Sequence, residues 1–365
     1  MPLGGTELSG PVATLSDVST TTPAPRDAHP DPRRELGAAL LRWAASGEAG
    51  VGVVRVLDRH GFGSVESGQL LAGTAAGEVG GLLYRGALDG TARALAVEAV
   101  TAPGTRDAHV AETPAVAAGL ACAGGATLLG HPLPSGPAAA LGAELEAARP
   151  AALLSTVDGT SALVLTGAAL DTVHGSLGSE AVDAEAADAA RGLLRRGATS
   201  TERVTAAGAE VLVDVWVPVP DLVVVGEGAL GAALHGQATL LGWSARTVTG
   251  LDEARAAVSA FGDADVVVLL DHDPAFDAML VDGIRHGRGF LGALGSRRTQ
   301  AARRERLLAA GITEEELATI HGPVGLDLGA RTPAETAVSV VAEVIALRAG
   351  RTAEVLAGTA GRIGA

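Results

Sequence analysis

Two stretches set glycines, a hydroxyl and cations at spacings that suit an anion. LVVVGEGALGAAL carries Gly226, Gly228 and Gly231 as G-x-G-x-x-G behind a valine-rich run. Glycines in that context let a backbone approach a pyrophosphate, and the helix they open presents unpaired N–H groups. GFLGALGSRRTQAARRER repeats the device: Gly292, Gly295 and Ser296 form a second tight turn, and Arg297 and Arg298 fall at the start of the following helix. Cations there oppose the helix dipole unless an anion is present. Guanidinium forks, a hydroxyl and backbone donors together suit a phosphate or an anionic cofactor. Between these stretches lies DVVVLLDHDPAFD. Asp273 before Pro274 reads as a helix N-cap. His272, at a strand end, can donate to an anion or relay a proton. A histidine between two carboxylates is also half of a metal site, but no further ligand stands nearby, and no metal is expected.

Each stretch also has a plainer reading. The first glycine turn can serve strand–helix packing alone. Tight nicotinamide-dinucleotide binding is opposed by Glu227, which sets a carboxylate between the first two glycines, and by Thr249 and Gly250, which end the second strand where a ribose-binding acid belongs. The arginines from 297 to 306 can form a solvated basic face paired with Glu305 and Glu314. Arg303, Arg304 and Arg306 are assigned to that face or to partner contacts.

These groups need a scaffold to bring them together. From residue 218 to 350 the chain alternates strand and helix: LVVV (222–225), ARTVT (245–249), DVVVLL (265–270) and RGFLGAL (288–294), with helices near 229–241, 252–260, 274–286, 298–310 and 333–348. That is the pattern of a Rossmann-like open parallel sheet with helices on both faces. Ligands of such sheets sit beyond the carboxyl ends of the strands, so the two glycine turns and His272 are expected on one rim. Capping boxes open two helices, Thr313 with Glu316 and Thr332 with Glu335, the latter with Pro333 at the first helical position.

Residues 32–217 read as an N-terminal α+β domain. A helix begins near Arg33 and ends by Gly50. β-like runs follow at 51–57, 69–73, 94–100, 126–130, 151–157, 161–167 and 211–217, with helices at 138–150 and 184–196. PVPD (218–221) is a proline-restricted hinge. Residues 1–31, rich in Thr, Pro, Ser and Gly, are expected to form a disordered tail, and 351–365 a second tail.

Composition narrows the chemistry. Hydrophobic residues make up 47% of the chain and aromatics 2%, so the core must be aliphatic, as suits a parallel sheet buried on both faces. There is no Lys and no Asn. A Walker lysine, a Schiff base and N-glycosylation are therefore excluded, and a GC-rich, bacterial gene is expected. One cysteine, Cys122, excludes a disulfide framework and a multi-thiolate zinc site. A formal charge of −15 disfavours general nucleic-acid binding. No run spans a bilayer and the N-terminus is not a secretory signal, so a cytoplasmic location is expected.

At these motifs the chain resembles the XdhC/CoxI family of accessory proteins for molybdenum enzymes. The matching segments are VVVGEGALGAAL, VVLLDHDPAFD, GFLGALGSRR and GPVGLDLGARTPAETAVSVVAEVIALRAGR (322–351). The resemblance implies an N-terminal domain followed by a Rossmann-like one. It also implies binding of the molybdenum cofactor (molybdopterin) and its hand-over to a molybdenum hydroxylase, often after sulfuration by a cysteine desulfurase; a homodimer fits it. The N-terminal half departs from the family pattern. In GFGSVESG (61–68) Gly63 and Ser64 remain, but Glu66 replaces an arginine. In VGGLLYRG (79–86) Leu83 replaces a cysteine and Arg85 an acid. The later cysteine-glycine turn survives as Cys122-Ala-Gly-Gly, with one extra residue. A thiolate there could touch molybdenum or carry sulfur; the alternative is a small buried hydrophobe.

Three functions are carried forward. The first is a cofactor-binding maturation factor, a chaperone more than a catalyst. The second is an NAD(P)-dependent oxidoreductase, supported by the G-x-G-x-x-G alone, with Trp243 expected near its nucleotide. The third is a degenerate paralogue that binds only protein. No G-x-S-x-G elbow or H-E-x-x-H pattern supports a hydrolase.

Overall fold

The computed structural model describes residues 32–63 and 65–358. Ser64 and the expected tail at 1–31 lie outside the described residues, as do residues 359–365 of the second tail.

Residues 32–217 build two antiparallel sheets where the sequence reading expected one α+β unit. After helix α1 (Pro32–Ala45) come β1 (Gly50–Gly61), β2 (Leu71–Gly73), β3 (Val79–Gly81), α2 (Asp89–Glu98), β4 (Gly104–Val110), α3 (Glu112–Ala117) and β5 (Gly124–Pro134). Their strand order is β3-β2-β1-β5-β4. Helix α4 (Ser135–Glu146) leads to β6 (Ala151–Thr156), β7 (Ala162–Thr166), β8 (Thr172–Ser176), α5 (Glu180–Arg195), β9 (Ser200–Ala206) and β10 (Ala209–Trp216), ordered β8-β7-β6-β10-β9. One core joins the sheets: Leu40 and Trp43 of α1 and Leu141 of α4 pack with Val53 of β1, Leu153 of β6 and Trp216 of β10.

The run 94–100, read as a strand, belongs to α2 and its end. Its short apolar alternation fits both periods, and the buried set Ala92, Leu95, Ala96 and Ala99 follows the helical one. Strands β3, β4, β8 and β9 escaped the sequence reading for a common reason. Each is an edge strand, and water on one side permits sequences such as GTRDAHV and STERVTA, which lack an apolar run.

The third sheet is parallel throughout, in the order β12-β11-β13-β14-β15. Its chain order is β11 (Asp221–Val225), α6 (Ala229–Leu240), β12 (Ser244–Val248), α7 (Leu251–Ser259), β13 (Val266–Leu269), α8 (Asp277–His286), β14 (Phe290–Ala293), α9 (Arg297–Ala309), α10 (Glu314–Leu317), β15 (Ile320–His321) and α11 (Pro333–Arg348). Period-two alternation divides the core. Leu222, Val224, Val266 and Val268 face α6 and α11, against Leu234 and Val340. Val223, Val225, Val267 and Leu269 face α7, α8 and α9, against Val258, Leu280 and Leu307. Both faces are thereby buried, and the strands read as unbroken aliphatic runs. The fold is α/β with a Rossmann-like C-terminal domain.

Candidate functional site on the carboxyl rim

Because all five strands run in one direction, their carboxyl ends share one rim. The chain leaves β11 for β12, then crosses back to β13 on β11's other side, so strand order reverses between β11 and β13. That crevice is the usual ligand position. Gly226 and Gly228 follow β11 with φ of 108° and 129°, values a side chain disfavours. A Cβ on Gly226 would stand 3.2 Å from the Asp271 nitrogen, so the loops after β11 and β13 abut. A Cβ on Gly228 would meet nothing within 4 Å. No side chain caps α6, which leaves its first-turn N–H groups directed into that space. Gly231 is buried against Val224 and serves packing.

The loop after β13 places His272 in solvent. Asp273 caps the turn at Pro274, accepting a hydrogen bond from the Ala275 N–H at 2.9 Å. After β14, Gly295 has φ of 142°, and Ser296 caps α9 by accepting from the Thr299 N–H at 3.2 Å. Gly292 lies one step back, inside β14, where Val324 fills the space a Cβ would take. Arg297 and Arg298 are exposed and make no ion pair with any described residue.

Of the other three arginines, Arg303 is placed differently from the solvated face expected for it, while Arg304 and Arg306 keep to exposed or part-exposed ion pairs. Arg303 is not a solvated side chain: it is 2% exposed. Its Nε lies 3.3 Å from Asp277 Oδ1, and its terminal nitrogens donate to the carbonyls of Leu294 and Asp271, both at 3.4 Å. It therefore fastens the loop after β13 to the loop after β14 from beneath. Burial lowers its pKa, and the Asp277 carboxylate opposes that shift. Arg306 shares the same carboxylate, and Arg304 pairs with Glu314, one of the partners named from the sequence.

A further rim loop, 322–331, carries the GPVGLDLGAR turn. It follows β15, next to β14. The Val324 N–H donates to the Ala293 carbonyl at 3.2 Å, and the Gly325 N–H to Glu343 Oε2 at 2.6 Å. His321 Nδ1 lies 2.9 Å from Glu343 Oε1, and the His321 ring stacks on Phe290 at 4.4 Å. Burial raises the Glu343 carboxyl, but the bonds from His321 and Gly325 outweigh it and hold the pKa below the ordinary value. The signal was present as Glu343, an acid in an otherwise apolar helix run.

Cys122 is not brought to the rim loops. It sits in the turn before β5, beside Gly63, and is exposed, which corrects the alternative of a buried hydrophobe. The two altered N-terminal turns meet: Arg85 Nη2 lies 2.9 Å from Glu66 Oε1. Both departures from the family pattern thus form one ion pair of reversed polarity. Leu83 is fully buried. Trp243 precedes β12, at the amino edge and away from the rim, contrary to its expected place beside a nucleotide. Among the described residues, no three His, Cys, Asp or Glu side chains gather as a metal site requires, and no helix is long and apolar enough to cross a membrane.

Comparison with known proteins centres on this domain. Residues 222–344 match the family model of the XdhC Rossmann domain. The molybdenum cofactor insertion chaperone PaoD of Escherichia coli is 38% identical over 125 residues, which are 32% of this chain and 38% of that protein. The uncharacterized protein YqeB of Escherichia coli is 28% identical over 179 residues, 43% of this chain and 32% of that one. The chain thus spans about a third of the length of these curated relatives. A crystal structure described as a xanthine dehydrogenase from Bacillus halodurans aligns with 88% of this chain and 98% of its own at a TM-score of 0.49 and 17% identity.

Proposed function

From a chain whose residues 222–344 are an XdhC Rossmann domain, we propose a maturation factor that binds the molybdenum cofactor at the carboxyl rim and delivers it to a molybdenum hydroxylase. One observation carries this reading. Two glycine turns, the first open at Gly228, and two unpaired arginines stand at the ends of β11 and β14, on either side of β13. The donor set fits an anionic pterin. The first-turn N–H groups of α6 and the guanidinium groups of Arg297 and Arg298 would hold its phosphate, with His272 as a further donor. When bound, the cofactor supplies the dithiolene that carries molybdenum. The protein's own part is to bind, orient and release it. The match to a molybdenum cofactor insertion chaperone supports the same role. Sulfuration is a separate step in this reading, and Cys122 is the chain's one thiol for it. A dinucleotide oxidoreductase is disfavoured, because β12 ends at Val248 and Gly250 caps α7, so the nearest following carboxylates, Asp252 and Glu253, belong to the first turn of the helix and not to the strand end.

The test is cofactor retention. Protein made in cells that synthesise molybdopterin should hold it through purification, and Arg297→Ala/Arg298→Ala should lose it by about tenfold or more, as two charge-assisted contacts disappear. Wild-type protein that emerges free of pterin, yet co-purifies with a molybdenum enzyme, would instead establish the interaction-only paralogue.

A further inference from the structure

The amino edge of the parallel sheet, opposite the rim, holds a cavity of about 940 Å³. It lies between the ends of α5, α6 and α11 and the Val217–Pro220 linker. This volume falls within the usual range of small-molecule sites, roughly 300–1,000 Å³. Large aliphatic side chains in its lining remain open: Val219 is 58% exposed, Ile345 44% and Leu241 42%.

The lining also carries charge against the trend of the chain. It includes Arg33, Arg196, Arg348 and Arg351 against Glu202 and Glu354, a surplus of two positive charges (four less two) in a chain of formal charge −15. Arg196 pairs with Glu202. Arg348 has no carboxylate within ion-pair distance among the described residues. Its guanidinium donates to the Ala264 carbonyl and rests on the Trp243 ring, 4.6 Å from the centroid. Burial holds its pKa down to about 10, with Asp265 opposing the shift from farther away. A cation in the last turn of α11 complements the helix dipole, which accounts for an arginine at that position. It does not account for a guanidinium turned inward and desolvated without a counter-ion, an arrangement that costs free energy until an anion arrives. A second unmet group lines the same cavity: Ser200 Oγ is buried and has no hydrogen-bond partner.

We infer that this cavity is a second ligand site, for an organic anion with a flat apolar body of about nucleotide size. The body rests on Val219, Leu241, Trp243 and Ile345. The acidic head meets Arg348. The site shares no residue with the rim, so it stands or falls independently of the proposed function.

Anilinonaphthalene sulfonate, a planar aromatic anion, is a direct probe for the full-length protein. It should bind saturably with one site per chain. Arg348→Gln should weaken binding by about tenfold, the scale of one charge-assisted contact. Ile345→Glu should weaken it comparably by setting a carboxylate in the cavity; residue 345 is exposed, so this variant carries the test if Arg348→Gln does not fold. Arg304→Gln removes equal charge at a solvent-facing pair and should leave binding unchanged. Non-saturable binding, or wild-type affinity in both Arg348→Gln and Ile345→Glu, overturns the inference. So does loss of the probe in Arg297→Ala/Arg298→Ala, which would place it on the rim.

Discussion

The five arginines between 297 and 306 have the same side chain and different fates, decided by what stands beneath each. Arg303 finds Asp277 and two strand-end carbonyls, and becomes a buried clamp. Arg297 and Arg298 find water. His131 shows the same dependence on surroundings. It is fully buried on β5; its Nδ1 lies 3.0 Å from the Pro132 carbonyl and its Nε2 is unpartnered. Desolvation, then the nearby Arg55, push its pKa down to about 3, with the Pro132 bond opposing. The folded protein therefore keeps His131 neutral while the unfolded chain protonates near the ordinary histidine value. Stability is lost as pH falls through that value towards 3, by up to about 1.4 kcal/mol per pH unit. Urea titrations from pH 7 to pH 4 should show this slope, and His131→Gln should flatten it. The reversed pair Glu66–Arg85 makes a smaller claim. It is exposed on both sides, so Glu66→Arg should cost less than about 1 kcal/mol in melting experiments. Adding Arg85→Glu should restore the wild-type value, because the pairing and not its polarity holds the two turns.

At the scale of elements, the capping boxes join sequence to site. Thr332 accepts from the Glu335 N–H, and Glu335 Oε2 in turn accepts from the N–H groups of Thr332 and Arg331. One box therefore starts α11 and also pins the end of the rim loop 322–331. Thr332→Ala should cost about 1 kcal/mol in chemical denaturation and loosen that loop, read as faster amide exchange at residues 326–331 with little change in the strands. Residue types alone located this cap, since Thr-Pro-x-Glu has only local requirements. The strands differ. β11, β13 and β14 were legible because burial on both faces demands aliphatic runs. β15 was not, because two residues, Ile320 and His321, at a sheet edge carry no period.

For the molecule as a whole, one buried ion pair reinforces the shared core that couples the two antiparallel sheets. Arg55 of β1 reaches across to Asp214 of β10 at 2.9 Å and to the Leu153 carbonyl of β6 at 3.0 Å; it is 1% exposed. Ser155 and Thr201 complete the network. Arg55→Met alone should destabilise by about 3–5 kcal/mol, since it leaves the Asp214 carboxylate buried without its cation. Arg55→Met/Asp214→Leu should recover most of that loss, and a thermal melt of both variants checks it. If the single and double variants melt alike, the pair does not couple the sheets. Each residue had left a trace in the sequence, as a lone charge in an apolar strand, in VGVVRVL and VLVDVWV.

Those lone charges mark the limit of what the chain disclosed by itself. Aliphatic runs, glycine spacing and capping boxes determined the parallel sheet, its helices and the two turns on one rim, because each depends on neighbours within a few residues. Tertiary structure alone decided that Arg303 is buried while Arg297 is open, that Glu66 faces Arg85, that Trp243 lies at the amino edge, and that Arg348 turns into a cavity. Burial and pairing are set by residues tens of positions away in the chain, and no local period encodes them.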